Sequence, residues 1–226
     1  MSLILSVETS TDVCSVALHS ESKLIGCQRY DLAKSHSSLL ASLIQEVVVN
    51  ADCKISDLSA VAVSAGPGSY TGLRIGVSTV KGIAFAQNIP IIGLDSLDVM
   101  YTAYAKFQKK EELAMPMMDA RRMEVYCQLR DARGAYILKS KPLIVESHSL
   151  SKYSEMPITI FGNGAEKTLS LIGGSNISYV PDIVPEAMNM GILAYKEFEA
   201  NKFEDTAYFE PFYLKEYRTI PPKQKL

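Results

Sequence analysis

The order of apolar segments along the chain, repeated once, limits the folds open to this sequence more than any other feature. In the first half, three short apolar segments predict three strands, and leucines and valines at helical spacing then predict a helix. Strands and helices alternate after that point. The predicted elements are strands at 3–7, 13–18 and 23–29, a helix at 36–51, a strand at 60–64, a helix at 70–87, a strand at 89–93, and a helix capped by Ser96 that runs towards Phe107. This βββαβαβα order indicates an α/β protein.

The second half of the chain predicts the same order again. Its predicted elements are strands at 113–118, 125–129, 136–139, 158–161 and 177–180, with helices at 164–172 and 186–200. In both halves an acid follows the first strand directly: Glu8 in one and Asp119 in the other. The polar segment 106–112 separates the halves. The sequence therefore predicts two duplicated βββαβαβα lobes, residues 1–105 and 106–226. The second ends in an irregular tail from Asp205, which contains Pro211, Pro221 and Pro222 and whose apolar stretch 209–214 packs back onto the body.

Charge and hydropathy argue against several classes of protein. The chain has 23 Lys+Arg against 25 Asp+Glu. A protein that binds nucleic acid by itself usually has a basic excess, because phosphate neutralisation dominates that affinity. No apolar stretch reaches the roughly 20 residues that span a bilayer, and the first 19 residues lack the basic start of a secretory signal. The scattered cysteines are typical of reduced thiols in a cytoplasmic protein; they are Cys14, Cys27, Cys53 and Cys127.

A glycine-rich run, GPGSYTGLRIG from Gly66 to Gly76, is the most specific stretch of the sequence. It follows a predicted strand and opens a helix, where backbone N–H groups can face an anion. It is neither a Walker A loop, since no Gly-Lys-Ser/Thr follows, nor a nucleophile elbow. The alternative is that the loop only turns the chain. The candidates for facing a nucleotide or anion are Glu8, Thr9, Ser10, Gly66, Gly68, Ser69, Asp119, Gly162 and Gly164.

Two of these candidates, Glu8 and Asp119, have a second interpretation. Acids at strand ends can be directed at Mg²⁺ in a two-lobed nucleotide binder. They can equally cap the turns that follow them by accepting hydrogen bonds from backbone N–H groups. We favour the first interpretation for Glu8 and the second for Asp119.

The predicted helix 70–87 has almost no polar face, so it has to be covered on more than one side. One hypothesis is burial within this chain, between its own sheet and the helix 36–51. The other is an interface with a partner subunit, in which small residues such as Gly76 allow the partner's backbone to approach closely. The candidates for this partner interface are His36, Leu40, Tyr70, Gly72, Arg74, Gly76 and Thr79. His36 has Leu40 one turn later where a helical metal pair would need a second ligand, so no metal site is expected.

Several motifs in one order resemble those of a known family. They are Glu8-Thr9-Ser10, His36-Ser37 before a leucine-rich helix, the run 66–76, Asp119-Ala120-Arg121 with Glu124-Val125-Tyr126, Gly162-Asn163-Gly164, and Pro211-Phe212-Tyr213-Leu214. The chain resembles the TsaB (YeaZ) family over nearly its whole length. Met123 and Ala41 depart from that family, which often has Gly and Pro there, and this puts only local turn geometry in doubt. The resemblance implies an actin-like (ASKHA, RNase H-like) fold.

The resemblance also implies a role. Members of this family pair through the N-terminal lobe with TsaD, which carries the metal-binding histidines. TsaD transfers threonylcarbamoyl to an adenosine beside the anticodon of tRNAs that read ANN codons, and the ATPase TsaE joins the pair. The expectation is a non-catalytic subunit that needs no cofactor of its own, with ATP and Mg²⁺ as candidates for the interface of the complex. It would meet tRNA only through the complex and would not bind membranes, and the isolated chain could form a homodimer.

Two other functions stay open on the sequence. An ATP-dependent phosphotransferase of the same fold would need two phosphate loops and a catalytic acid, of which only the strand-end acids and the turn 162–164 are suggested. Direct tRNA binding by the chain alone is disfavoured by its charge balance. ATP hydrolysis by the isolated protein would separate the first of these from a scaffold.

Overall fold

The computed structural model describes residues 2–32 and 36–215, and its first half forms one mixed five-stranded sheet. The strands are β1 (Leu3–Glu8), β2 (Val13–Ser20), β3 (Lys23–Asp31), β4 (Ala60–Gly66) and β5 (Ile91–Asp95), and the helices are α1 (His36–Asn50), α2 (Tyr70–Gln87) and α3 (Ser96–Ala105). The order across the sheet is β3-β2-β1-β4-β5. Strand β1 pairs antiparallel with β2 and parallel with β4. Met1 and the tail prolines Pro221 and Pro222 lie outside the described residues.

The second half forms another five-stranded sheet with the same topology. Its elements are β6 (Leu113–Asp119), β7 (Glu124–Arg130), β8 (Tyr136–Ile144), β9 (Ile158–Phe161), α4 (Leu169–Ile172), β10 (Ile177–Val180) and α5 (Gly191–Glu199). The order across this sheet is β10-β9-β6-β7-β8. Each strand therefore occupies the position of its counterpart in the first sheet. The duplicated α/β architecture predicted from the sequence is confirmed.

The two lobes differ in their helices, so the second lobe does not repeat every helix of the βββαβαβα order. Where α1 stands in the first lobe, the second has only a 3-10 turn, Ser151–Tyr153. The segment between β8 and β9 is polar, and its buried side chains are few, chiefly Val145 and Leu150, so no helical stripe covers the sheet. The predicted helix 164–172 is a 3-10 turn followed by the one-turn helix α4.

Both faces of the first sheet are covered, but from different halves of the chain. Helices α1 and α2 cover one face, and their side chains pack on Val7, Val16 and Val63. The opposite face, which includes Ile4 and Ala62, is covered by α5 and by a 3-10 turn before it. Strand β2 lies between these layers, and all eight of its residues are buried.

Helix α3, from the first half of the chain, in turn packs against the second sheet. Its Val99 packs with the first sheet, whereas Leu97, Met100 and Tyr104 pack against β6 and β9 of the second. The division of the chain at 105/106 stays a proposal. The closing helix of each half contributes to the core of the other half.

A polar cluster joins α3 to the β7–β8 hairpin across this junction. The guanidinium of Arg130 binds Asp98 and lies between the rings of Tyr101 and Tyr136, at 4.5 Å and 3.9 Å from their centroids. It also donates to the carbonyl oxygen of Gly134 at 2.8 Å. The Arg130 side chain is only 11% exposed, so its charge depends on these partners.

Helix α3 is capped by Asp95 and not by Ser96 as predicted. The Leu97 N–H donates to the Asp95 carboxylate at 2.8 Å, and Ser96 is the first helical residue. Burial is the main reason that the pKa of Asp95 rises from 3.8 to about 6, and the neighbouring charge of Asp98 raises it further. An ionised Asp95 therefore costs stability at neutral pH.

Asp95→Asn is expected to remove this cost while keeping the cap acceptor. A carboxyl whose pKa is raised by folding stabilises the protein below the unfolded pKa, and that contribution is lost as the pH rises through about 6. We expect the free energy of unfolding of the variant, relative to that of wild type, to increase by about 2 kcal/mol as the pH rises from 4 to 8, measured by urea unfolding. Asp205→Asn, at an exposed turn, is the control. A constant difference between variant and wild type across this range would contradict the assignment.

The end of the described chain returns to the first lobe, as predicted for 209–214. Phe209 is buried in the core beneath α2, and the Phe212 N–H donates to the carbonyl oxygen of Ala65 at 2.6 Å. The side chain of Phe212 itself stays exposed. We call residues 204–215 the tail segment. None of the helices in the described part of the chain is long and apolar enough to cross a membrane.

Candidate functional site

The glycine-rich run forms the turn between β4 and α2, and it packs on the turn that follows β1. Ser69 caps α2, because its hydroxyl accepts the Gly72 N–H at 3.2 Å. The Ser69 N–H donates to the carbonyl oxygen of Ser10 at 2.7 Å, and the Thr9 hydroxyl donates to the carbonyl oxygen of Gly72 at 2.8 Å. The structure therefore brings Thr9, Ser10, Gly68 and Ser69 together, next to Glu8 and Gly66.

The glycines in this turn are required by the chain's own packing. A Cβ at Gly68 would overlap the carbonyl oxygen of Ser10, and a Cβ at Gly72 would overlap that of Thr9. Gly68 also has a φ of +156°, which disfavours other residues. Two turns meet backbone to backbone here, and the N–H groups of Ser69 and Gly72 are already bound to the Ser10 carbonyl oxygen and the Ser69 hydroxyl. These two N–H groups are therefore not free to bind a phosphate.

Glu8 is a buried carboxylate with its own hydrogen-bond partners. It is fully buried, one oxygen accepts the Ser10 N–H at 2.6 Å, and the other accepts the hydroxyl of Ser64. Burial raises the pKa of Glu8, and the hydrogen bonds from Ser10 and Ser64 oppose that rise. The carboxylate thus ties β1 to β4 and to the following turn, which is the capping role rather than an exposed ligand for Mg²⁺.

The second group of candidates lies at the equivalent position of the second sheet. The Asp119 N–H donates to the side-chain oxygen of Asn163 at 3.1 Å, and the Asp119 carboxylate binds the ammonium of Lys167. Gly162 has a φ of +102°. A Cβ at Gly164 would lie 2.6 Å from the Met118 carbonyl carbon. Asp119, Gly162 and Gly164 therefore meet around the end of β6, as Glu8, Gly66 and Gly68 meet around the end of β1.

Four of the seven predicted partner residues are buried within the chain and do not reach its surface. His36 is buried, and its Nε2 lies 3.3 Å from the carbonyl oxygen of Val13. Leu40 belongs to the core under α1. A Cβ at Gly76 would overlap the Thr9 hydroxyl, and Gly72 is equally closed off by Thr9. The small residues of α2 allow close approach to this chain's own sheet and not to a partner.

The other three predicted partner residues reach the surface. The guanidinium of Arg74 lies over the ring of Tyr70, 4.2 Å from its centroid, beside the tail segment. Thr79 lies on the opposite side of α2, where it lines a groove between α1 and α2. The groove, which we call the α1–α2 groove, has a volume of about 530 Å³ and is lined by Ala41, Ile44, Gln45, Val48, Val49, Cys53, Lys54, Ile55, Thr79 and Ile83.

Val49 and Ile83 are groove residues that the sequence prediction missed. A signal for Val49 was present, because three consecutive valines at 47–49 cannot all lie on one face of a helix. Val47 and Val48 are buried, and Val49 is 62% exposed. In the described residues, no group of three or more His, Cys, Asp or Glu side chains is placed to hold a metal ion.

Comparisons with known proteins match this architecture. A family model described as TsaD: tRNA N6-adenosine threonylcarbamoyltransferase matches residues 22–153, which is more than half of the chain. The chain is 30% identical over 164 residues to the "tRNA threonylcarbamoyladenosine biosynthesis protein TsaB" of Bacillus subtilis, covering 71% of this chain and 70% of that protein. The chain belongs to the TsaB (YeaZ) family.

Further TsaB relatives extend the match to the full length. The protein of the same name in Escherichia coli is 28% identical over 233 residues, which cover 98% of this chain and 99% of that protein. The solved structure of YeaZ from Pseudomonas aeruginosa superposes with a TM-score of 0.79 at 23% identity, covering 95% of this chain and 100% of that one. The actin-like α/β fold expected for a TsaB protein is confirmed.

Proposed function

We propose that this chain is a non-catalytic subunit that pairs with TsaD to make threonylcarbamoyladenosine in tRNA. Membership in the TsaB family supports the assignment of the chain to this pathway, since the E. coli and B. subtilis relatives are named as threonylcarbamoyladenosine biosynthesis proteins. In this proposal the chain acts in the cytoplasm, TsaE joins the pair, and tRNA is modified by the complex. The chain needs no cofactor of its own, and ATP with Mg²⁺ belongs to the interface of the complex.

The observation that carries this proposal is the α1–α2 groove. A groove of this size with mainly apolar walls is typical of a protein-binding site. Ile83 of α2 and Val49 of α1 stand on its two sides. Apolar side chains along two parallel helices suit the apolar face of a partner's helices, which would insert at i, i+4 spacing. TsaD is the partner we assign to the groove.

The closed glycine loop supports a scaffold over a phosphotransferase. Ser10 and Thr9 fill the space beside Gly68 and Gly72, and the Glu8 carboxylate is taken up by Ser10 and Ser64. A phosphotransferase would need N–H groups of this loop free for nucleotide phosphates, whereas those of Ser69 and Gly72 are bound within the chain. The catalytic work of the pathway is therefore assigned to the partner.

Val49→Glu tests the groove directly. A carboxylate at this position stays solvated in the free chain, because Val49 is 62% exposed, but it would be desolvated when a partner helix fills the groove. Burying an unpaired charge costs several kcal/mol. We expect at least a hundredfold loss of affinity for TsaD in calorimetry, and loss of stimulation of threonylcarbamoylation.

The matched control is Ile192→Glu on α5. Ile192 is 65% exposed and lies on the opposite side of the first sheet, so its carboxylate is equally solvated and should leave TsaD binding unchanged. Thermal unfolding should be similar for both variants. Equal affinity of both variants for TsaD would overturn the proposed interface. If Val49→Glu only dissolves a homodimer and TsaD binds as before, the groove serves self-association and the proposal fails.

A further inference from the structure

The tail segment is fastened along α2, which fixes the position of its last residues. The Lys81 ammonium donates to the carbonyl oxygens of Ala207 and Phe209, each at 3.0 Å. Phe209 is buried beside the helix, and the Phe212 N–H is bound by Ala65. Because the segment is held at both points, Tyr213 is placed over the first turn of α2.

Two rings and a guanidinium stack at that first turn. The rings of Tyr70 and Tyr213 have centroids 4.9 Å apart. Arg74 lies 4.2 Å over the Tyr70 ring, and its Nε donates to the Tyr213 hydroxyl at 3.1 Å. The Arg74 side chain is exposed, so its charge and planar face reach solvent. Stacking and the hydrogen bond orient the three groups before any partner arrives.

The tail segment leads from this stack to the turn 119–124 of the second lobe, which carries two arginines and two acids. Lys215 follows Tyr213 by two residues and binds the carboxylate of Glu124, at the start of β7. Glu124 closes the turn 119–124, because its N–H donates to the carbonyl oxygen of Arg121 at 3.2 Å. Arg121 and Arg122 are exposed in this turn, and the described residues offer no ion-pair partner to either guanidinium. Tyr126 lies close to both Lys215 and Arg121.

This turn is held in a costly conformation. Arg121 and Arg122 have φ values of +67° and +51°, and two consecutive left-handed residues that are not glycine cost roughly 1–2 kcal/mol each. Lys167 offsets that cost by donating to the carbonyl oxygens of Arg122 and Glu124, both at 2.7 Å. The result is a rigid turn that displays two adjacent guanidinium groups. Such local strain is typical of binding sites.

We propose that these groups, which we call the Arg–Tyr surface (Tyr70, Arg74, Arg121, Arg122, Tyr126, Tyr213 and Lys215), bind a single-stranded segment of RNA. Guanidinium groups bind phosphate oxygens, and planar rings and guanidinium faces stack on bases. The surface differs in chemistry from the apolar α1–α2 groove, which favours a protein. The choice of tRNA as the RNA rests on the proposed function. A weak site of this kind is compatible with a near-neutral chain, because the charge is local.

Fluorescence anisotropy on the complex with TsaD tests this surface. The probe is a fluorescein-labelled transcript of a tRNA that reads ANN codons. Arg121→Gln/Arg122→Gln removes two exposed charges and should lower the affinity about tenfold at moderate salt. The slope of log affinity against log salt should become shallower by about 1.4, since each single-strand phosphate contact contributes about 0.7. Arg121→Lys/Arg122→Lys should keep most of that slope. Tyr213→Leu should also weaken binding about tenfold, with little effect on the salt slope, because it removes stacking rather than charge.

The matched control is Arg133→Gln/Lys152→Gln, which removes the same charge from exposed positions elsewhere on the second lobe. It should bind the transcript as wild type does. Thermal unfolding should show that all of these variants are folded. If the Arg121→Gln/Arg122→Gln complex binds as the control does, the proposal is overturned. It is equally overturned if that variant weakens TsaD binding while the assembled complex keeps its RNA affinity, because the surface would then be a protein contact.

Failure of this RNA-binding proposal can be distinguished from failure of the proposed function. Pairing with TsaD is tested by the variants of the α1–α2 groove, whereas the Arg–Tyr surface is tested by the affinity for RNA. If wild type does not pair with TsaD, the same transcript is titrated with the chain alone at low salt. A loss confined to the Arg121→Gln/Arg122→Gln and Tyr213→Leu variants would then still support the surface.

Discussion

Gly72→Ala should lower the melting temperature of the chain by up to about 12 °C, although alanine is the better helix former. The new Cβ would overlap the backbone carbonyl oxygen of Thr9. Neither partner can move alone, because the Thr9 hydroxyl is bound to the Gly72 carbonyl oxygen. Overpacking of a close contact costs up to about 3 kcal/mol, and in a protein of this size each kcal/mol shifts the midpoint by roughly 2–4 °C.

Gly82→Ala in the same helix is the matched control. A Cβ at Gly82 would meet nothing within 4 Å, so this variant should gain about 0.5–1 kcal/mol of stability from helix propensity.

Gly76→Leu, like Gly72→Ala, should lower the melting temperature, because Gly76 faces Thr9 and Val63. A Gly76→Leu chain that melts like wild type and binds TsaD more weakly would restore the idea that this glycine faces a partner.

Arg130→Met should destabilise the chain by about 3–5 kcal/mol, the cost of leaving one charge of a buried pair without its partner. Asp98 would keep its hydrogen bond from the Tyr136 hydroxyl but would lose its ion pair with Arg130. The rings of Tyr101 and Tyr136 would lose the guanidinium that lies between them. Since the cluster joins α3 to the β7–β8 hairpin, the loss weakens the contact between the two sheets. Calorimetry should show a lower midpoint and a broader transition for the variant than for wild type.

Arg29→Met provides the comparison at an exposed pair. Arg29 binds Glu186 at 2.7 Å, but its side chain is 41% exposed, so its removal should cost less than about 1 kcal/mol. Arg130→Lys should not rescue the buried site, because an ammonium cannot stack between two rings and reach both Asp98 and Gly134. Similar costs for the Arg29 and Arg130 variants would show that Arg130 is not a buried structural charge.

The sequence was sufficient to predict the strands and their repetition. The strands at 158–161 and 177–180 and the helix 70–87 agree with the structure to the residue, because each has a strong apolar pattern between clear breakers. The same pattern could not predict what α3 and α5 pack against. An apolar stripe shows that a face is buried, but Val99 and Ala194 carry no sign of whether the covering sheet belongs to their own half.

The sequence located the glycine-rich turn but not what it contacts. The backbone approaches closely at Gly68 and Gly72. The sequence could not show that Ser10 and Thr9, about 60 residues earlier, would be the residues that meet these glycines. His36 and Leu40 were assigned to the partner interface, but both side chains are turned inward and buried.

The crossing of α3 and α5 has a consequence for the history of the fold. One repeat unit by itself would have a sheet with one face only partly covered, since a helix that packs on that face comes from the other unit. The unit would thus be less stable as a single copy, and two copies would complete each other in the manner of a domain-swapped dimer. The duplicated chain then corresponds to two units that need each other to fold, joined into one polypeptide. Cutting the chain between residues 105 and 106 would not yield two independently folded halves.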